Sequence, residues 1–186
     1  MNELIVDRAS EGQVVVRLKG GDPFVLGRGG EEALACLDAG IPVEVVPGIT
    51  SAVSVPAAAG IPVTHRGLST SVLLLSAHEG ADDVVRRAAN TPEDTTLVLL
   101  MGVRHLAETA DALITAGRPA DLPAAVVSAG WTPEQQVVRG TLTTIATDAA
   151  GLGTPAVVVI GQVARLHDTL GLLGHASVDA GHGIQS

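Results

Sequence analysis

The sequence predicts an α/β fold of two domains, and three observations carry that prediction. Short β-branched runs alternate with helical patterns along most of the chain. The helices are closed by a recurring punctuation: Gly40-Ile41-Pro42, Gly60-Ile61-Pro62 and, more loosely, Gly117-Arg118-Pro119. Glycine there supplies a left-handed cap, and proline cannot continue a helix. A glycine-dense loop from Lys19 to Glu32 stands between a β-branched run and a helical pattern, the place where open α/β sheets bind ligands.

Asn2–Ser10 reads as the tail of a helix with Leu4, Ile5 and Ala9 on one side, and Val14–Leu18 as a strand. After the glycine loop, Glu31 and Glu32 occupy a helix's first turn, where the macrodipole favours carboxylates. That helix runs to Asp38, and Val43–Val46 reads as the next strand. Pro56 lies inside the Thr50–Ala59 segment and predicts a helix that is kinked or starts late. The small, polar passage from Gly67 to Ser71 marks a domain boundary, dividing residues 1–67 from residues 68–171. Beyond it come strands Val72–Ser76, Thr96–Leu100, Ala124–Ser128, Gln136–Gly140 and Ala156–Ile160. Helical patterns fill Asp82–Ala89, Arg104–Ala116 and Leu142–Asp148. Residues 172–186, rich in Gly, His and Ser, read as a disordered tail.

Composition bounds the function. Of 186 residues 46% are hydrophobic, yet Phe24 and Trp131 are the only aromatics, so the core is built from Ala, Val, Leu and Ile. A net charge of −9 and a pI near 4.9 argue against a nucleic-acid or anionic-membrane partner, which needs a basic face. No apolar run approaches the ~18–20 residues that span a bilayer, and Met1-Asn2-Glu3 does not open a signal peptide. The expectation is a cytoplasmic protein. The lone Cys36 excludes an intramolecular disulfide and reads as a buried, inert thiol. The histidines show no metal-ligand spacing, and no metal site is expected. A Gly-x-Ser-x-Gly elbow and a Gly-Lys-Ser/Thr phosphate loop are both absent. In the glycine loop, Glu32 stands where the last glycine of the dinucleotide fingerprint would fall.

The loop still offers backbone N–H groups, the Asp22 carboxylate and the Arg28 guanidinium, which suit a small polar ligand. A mobile surface turn accounts for its glycine content equally well. Three blocks go further: Lys19–Glu32, Val45-Val46-Pro47-Gly48-Ile49-Thr50-Ser51-Ala52, and Ala59–Gly67 with its Gly-Ile-Pro-Val-Thr-His-Arg run. In order and separation they resemble the tetrapyrrole methylase family, and within it the branch acting on uroporphyrinogen III. Weaker similarity continues through Met101-Gly102 and Ser128-Ala129-Gly130 to about Leu170.

The resemblance implies the tetrapyrrole methylase fold, two α/β domains with the ligand cleft between them. It implies S-adenosylmethionine-dependent C-methylation of uroporphyrinogen III to precorrin-2, a step of sirohaem and cobalamin biosynthesis, by a homodimer. It places cofactor contacts on Gly20, Gly21, Asp22, Val25, Thr50, Ser51, Met101 and Gly130. Met101 reads equally as core filling, and Thr50 as an N-cap for the helix that follows. The substrate is a polycarboxylate, so arginines should meet it: Arg28 first, then Arg66, with Arg17 more simply structural.

The family domain opens with a further strand and a Gly-Pro-Gly-Asp loop, and carries its acid–base candidates before reaching a segment like Asn2–Leu18. The resemblance therefore implies a truncated first domain, with Val14–Leu18 and Val43–Val46 left as an apolar edge, and assigns no catalytic residue to this chain. The isolated chain is expected not to turn over. Another precorrin methylase, or a non-catalytic remnant that binds the cofactor or a partner subunit, are the alternative readings.

Overall fold

The structure is a computed structural model in which residues 1–171 are described; the expected tail at 172–186 lies outside them. The chain divides into two compact units, Met1–Ser54 and Val55 onward.

The first unit holds α1 (Asn2–Ser10), α2 (Gly29–Asp38) and the start of α3 (Ser51–Ala58). Neither Val14–Leu18 nor Val43–Val46 is a strand, which corrects the sequence expectation. A strand exists only as part of a ladder, and among the described residues neither segment has a hydrogen-bonding partner strand. The apolar alternation is present but uncovered: Val14 is 95% exposed, and Val16 and Leu18 are nearly as open. Gly29, Cys36 and Ala52 are the buried residues of this unit, and Cys36 is the buried thiol expected.

α3 starts at Ser51, not late, and carries Pro56 within it. In so short a helix proline removes a single internal hydrogen bond, so the turn is kept. The three glycine stops behave as expected. Gly40, Gly60 and Gly117 all have positive φ. In each case the residue that follows donates back across the last turn: Ile41 to Cys36 O at 2.9 Å, Ile61 to Pro56 O at 2.9 Å and Arg118 to Leu113 O at 3.0 Å. Three helices thus end in the same Schellman closure.

The second unit is a five-stranded sheet of order β1-β2-β5-β3-β4. Its strands are β1 (Val72–Ser76), β2 (Thr96–Leu100), β3 (Pro123–Ser128), β4 (Gln136–Thr141) and β5 (Ala156–Ile160). β1 and β2 are parallel, joined through α4 (Ala81–Ala88). β5 inserts between β2 and β3 and is antiparallel to both, so β2 and β3 run in the same direction. α5 (Leu106–Thr115) follows a 3-10 turn at Val103–His105, and α6 (Ile145–Asp148) is a single turn, shorter than expected. A 3-10 segment, Gln162–Leu166, leads into α7 (His167–Leu170).

The strand sequences dictate where the core lies. Leu97 and Leu99, Ala124 and Val126, Val158 and Ile160 share one face of the sheet and pack with Val84, Leu106 and Leu113 of the helices. Val98, Ala125, Val127 and Val159 fill the other face and are fully buried. A period-2 pattern with both faces apolar is what makes β2, β3 and β5 central. Both aromatic residues lie outside this aliphatic core.

The starts of β1 and β2 are tied by hydroxyls. Ser69 Oγ accepts from Thr96 N (3.2 Å) and Thr96 Oγ1 (2.9 Å) and donates to Ser71 O at 3.0 Å. Arg118 braces the end of α4 and the loop after it, donating to Thr91 Oγ1 at 2.6 Å and Ala88 O at 3.2 Å.

Candidate functional site

In the first unit the residues Gly20–Asp22 and Gly48–Ser51 meet. The Asp22 carboxylate accepts from Gly48 N–H at 3.0 Å and from Phe24 N–H at 2.8 Å. These two donors hold its carboxyl below the usual carboxylate range, against a small desolvation penalty. Gly48 must be glycine, because a Cβ would overlap the carbonyl oxygen of Gly21. The loop also folds on itself: Gly29 N–H donates to Pro23 O at 2.9 Å, and Val25 N–H to Asp22 O at 3.4 Å. A Cβ on Gly27 would stand 2.6 Å from that Pro23 oxygen. Glycine here serves close approach rather than mobility.

Thr50 caps α3. Its carbonyl accepts from Val53 and Ser54 N–H at 3.0 Å each, and its Oγ1 accepts from Ala52 N–H at 3.4 Å. Beside this helix start, the N–H groups of Gly20, Gly21, Thr50 and Ser51 have no hydrogen-bond acceptor among the described residues. Free amides at a helix N-terminus, next to a glycine loop, form a cradle for a carboxylate. This donor set fits the amino-acid end of S-adenosylmethionine.

Sequence reasoning missed what holds the loop. Lys19 Nζ pairs with Glu32 Oε2 at 2.9 Å and donates to the carbonyl of Gly27, so its side chain, only 13% exposed, staples the loop's two ends together. Arg17 Nε adds a bond to Glu32 Oε1 at 3.2 Å, the structural role expected of it. Partial burial pushes the Glu32 carboxyl up, but the Lys19 hydrogen bond and both positive charges outweigh it and leave it lowered. The one available signal was compositional: Lys19 is the chain's only lysine and directly precedes the glycine pair.

Arg28 stands at the N-cap of α2 with φ of 59°. Its side chain is 81% exposed, and among the described residues its one ion pair is with Glu31, at 3.4 Å. It lines a groove of about 660 Å³ with Arg17, Lys19, Leu26 and Glu32. The guanidinium is thus open to a solute, whereas Arg17 and Lys19 are already neutralised by Glu32.

In the second unit, Arg66 is exposed and makes no ion pair among the described residues. Met101 follows β2 with φ of 59° and is 53% exposed, so it does not fill the core. Gly130 follows β3, and a Cβ there would stand 2.8 Å from Val55 Cγ1. Because β2 and β3 are parallel on either side of β5, Met101 and Gly130 emerge at the same end of the sheet. No group of three or more His, Cys, Asp or Glu residues able to hold a metal occurs among the described residues. Nor is any described helix long and apolar enough to cross a membrane.

Residues 1–146 match the family model of the tetrapyrrole (corrin/porphyrin) methylases. The chain is 45% identical over 179 residues to an S-adenosyl-L-methionine-dependent uroporphyrinogen III methyltransferase of Methanosarcina barkeri, covering 92% of this chain and 69% of that protein. It is 42% identical over 177 residues to siroheme synthase 1 of Cronobacter sakazakii, covering 95% of this chain but 38% of that larger protein. Uroporphyrin-III C-methyltransferase from Thermus thermophilus, solved with S-adenosylhomocysteine, superposes with a TM-score of 0.76 at 38% identity, over 89% of this chain and 73% of that one. The fold is that of a two-unit α/β methylase with a mixed sheet. The chain belongs to the tetrapyrrole methylase family.

Proposed function

We propose that this chain carries out S-adenosylmethionine-dependent C-methylation of uroporphyrinogen III, giving precorrin-2 for sirohaem or cobalamin biosynthesis. The observation that carries the reading is the Asp22–Gly48 bond, which sets the free amides of Gly20 and Gly21 beside the capped start of α3. The relatives' names and the S-adenosylhomocysteine complex of the Thermus protein support it.

Gly20, Gly21, Thr50 and Ser51 receive the cofactor's carboxylate, and Asp22 and Val25 shape the loop around it. The family resemblance adds Met101 and Gly130 to the cofactor set. When bound, the cofactor's sulfonium supplies a methyl group to a nucleophilic ring carbon. This chain's part is to orient, since fixing two reactants in line removes much of the entropic barrier. Arg28 and Arg66 meet substrate carboxylates, a contact the open guanidinium of Arg28 favours. We assign the methylase domains to residues 1–67 and 68–171 and the working form to a homodimer on the same resemblance, and keep the cytoplasm as its expected location.

A second reading is cofactor binding without turnover. The uncovered Val14–Leu18 and Val43–Val46 segments favour it, because they give the loop site little support. Anaerobic incubation with S-adenosylmethionine and uroporphyrinogen III, beside calorimetry with S-adenosylhomocysteine, separates the two. Methylated product supports catalysis, binding alone supports the second reading, and neither removes both.

A further inference from the structure

The first unit leaves its backbone unpaired along two apolar runs, residues 14–18 and 43–46. Among the described residues no N–H of either run donates a hydrogen bond, and of their carbonyls only that of Leu18 accepts one, from Arg17. Buried or not, such groups are normally paired with a neighbouring strand or with water. The side chains are as open as the backbone. Val14, Val16, Leu18, Val46 and Ile49 are each at least 73% exposed. Both runs lead to one place, since Asp22 accepts the Gly48 N–H and a Cβ on Gly48 would overlap Gly21 O. The uncovered residues therefore belong to one region of this unit.

Size and charge say what covers that region. A side chain of this kind exposes on the order of 100 Å², so the five together offer about 500 Å². A stable interface buries about 800 Å² per partner, and about 65% of it is apolar when two identical chains meet. The patch is what one copy has to contribute. Arg17 and Lys19 share the single carboxylate of Glu32, which leaves one positive charge in excess beside residues 14–18. Glu44, in the other run, is exposed and makes no ion pair among the described residues. One run is thus positive and the other negative, an arrangement that two copies satisfy reciprocally.

The sequence also supplies a register. An antiparallel alignment that sets Arg17 opposite Glu44 sets Val15 opposite Val46, Val16 opposite Val45 and Leu18 opposite Val43. One pair is then oppositely charged and the other three are β-branched or aliphatic, all of them favourable across a ladder. The next position, opposite Val14, is Pro47, which has no N–H and ends the pairing.

We propose that residues 14–18 and 43–46 form an interface between two copies of this chain, each run pairing as an antiparallel strand with the opposite run of the other copy. A two-fold axis makes the contacts reciprocal, so the ladder and its Arg17–Glu44 contact occur twice in the dimer. The inference stands on these two runs and not on the cofactor reading, which calorimetry with S-adenosylhomocysteine tests separately.

Sedimentation of the 186-residue chain over a range of concentrations should show a monomer–dimer equilibrium. Val16→Lys puts a charge into the ladder and should leave a monomer where the parent is dimeric. Glu44→Arg sets two positive side chains against each other in both ladders and should weaken the dimer by about 5-fold or more. Both positions are exposed, so each variant should melt like the parent at concentrations where the parent is monomeric. Hydrogen exchange on the parent reads the backbone without any substitution. The amides of residues 15–18 and 43–46 should be protected in the dimer and exchange freely on dilution. A parent that stays monomeric at every concentration overturns the proposal. A dimer of undiminished strength in both variants uses another face and overturns it as well. Protection that persists in the monomer means that the chain covers these runs itself, and growth beyond the dimer contradicts a closed, reciprocal pairing; either result overturns the assignment.

Discussion

The Asp22 carboxylate accepts the N–H of Gly48 at 3.0 Å across 26 residues of sequence, and this bond joins the two loops of the candidate site. On the proposed reading, Asp22 acts on the cofactor through backbone placement. Asp22→Ala should weaken S-adenosylhomocysteine binding by about 10- to 100-fold, the range for losing a hydrogen bond to a charged group. Gly48→Ala should do the same from the other side of the junction, because its methyl group displaces Gly21. Calorimetry on both variants is the measurement; unchanged affinity in folded Asp22→Ala removes this junction from the site.

Acid should open the same junction. The ordinary Asp value is 3.8, and the folded value of Asp22 lies below it, chiefly through the Gly48 and Phe24 amides. A depressed carboxyl stabilises the fold fully above its unfolded value, and that contribution is lost as pH falls through the lower folded one. The Gly48 amide resonance should hold steady from pH 7 to about 4 and shift only below that. A midpoint above 4 would contradict the assignment of these donors.

Lys19→Met keeps the stem and removes the charge that bridges Glu32 and Gly27. The loop should loosen while the second unit's core is untouched. Affinity for S-adenosylhomocysteine should fall about 10-fold or more, since misplacement by about 1 Å can cost on the order of 100-fold in a positioned site. Lys19→Arg should recover part of it. Loss of the whole cooperative melting transition in Lys19→Met would instead make Lys19 a determinant of global folding.

Gly130→Ala should cost about 1–3 kcal/mol, the usual penalty of overpacking, because the new methyl meets Val55 at 2.8 Å. Val55→Ala should rescue it. Denaturant melts of the four members of the cycle give the coupling directly. An additive cycle would mean that the contact does not constrain residue 130.

Arg118→Ala should lower stability by about 1–3 kcal/mol, since its guanidinium serves the Thr91 hydroxyl and several carbonyls, those of Ala88 and Pro92 among them. Arg118→Lys should not restore it, because one ammonium cannot span the same acceptors. Thermal melts that leave both variants at the parent's midpoint would show these bonds to be replaceable by water.

The sequence by itself determined what is local or two-sided. The three glycine stops came out as Schellman closures because left-handed caps depend on the glycine and its immediate neighbours. β2, β3 and β5 were legible because a run apolar on both faces has to be central. The Lys19–Glu32 loop was legible through its glycines and its family likeness, which named Asp22 without showing that its carboxylate ends on Gly48. Only the tertiary structure decided the rest. Val14–Leu18 and Val43–Val46 have strand-like patterns and are not strands, because a ladder requires a neighbour that no local pattern supplies. The insertion of β5 between β2 and β3, which brings Met101 and Trp131 to one end of the sheet, depends on strand order, a property of the assembled sheet. Lys19 and Glu32 meet only because the loop between them closes, so their pairing is a consequence of the fold that no spacing rule contains.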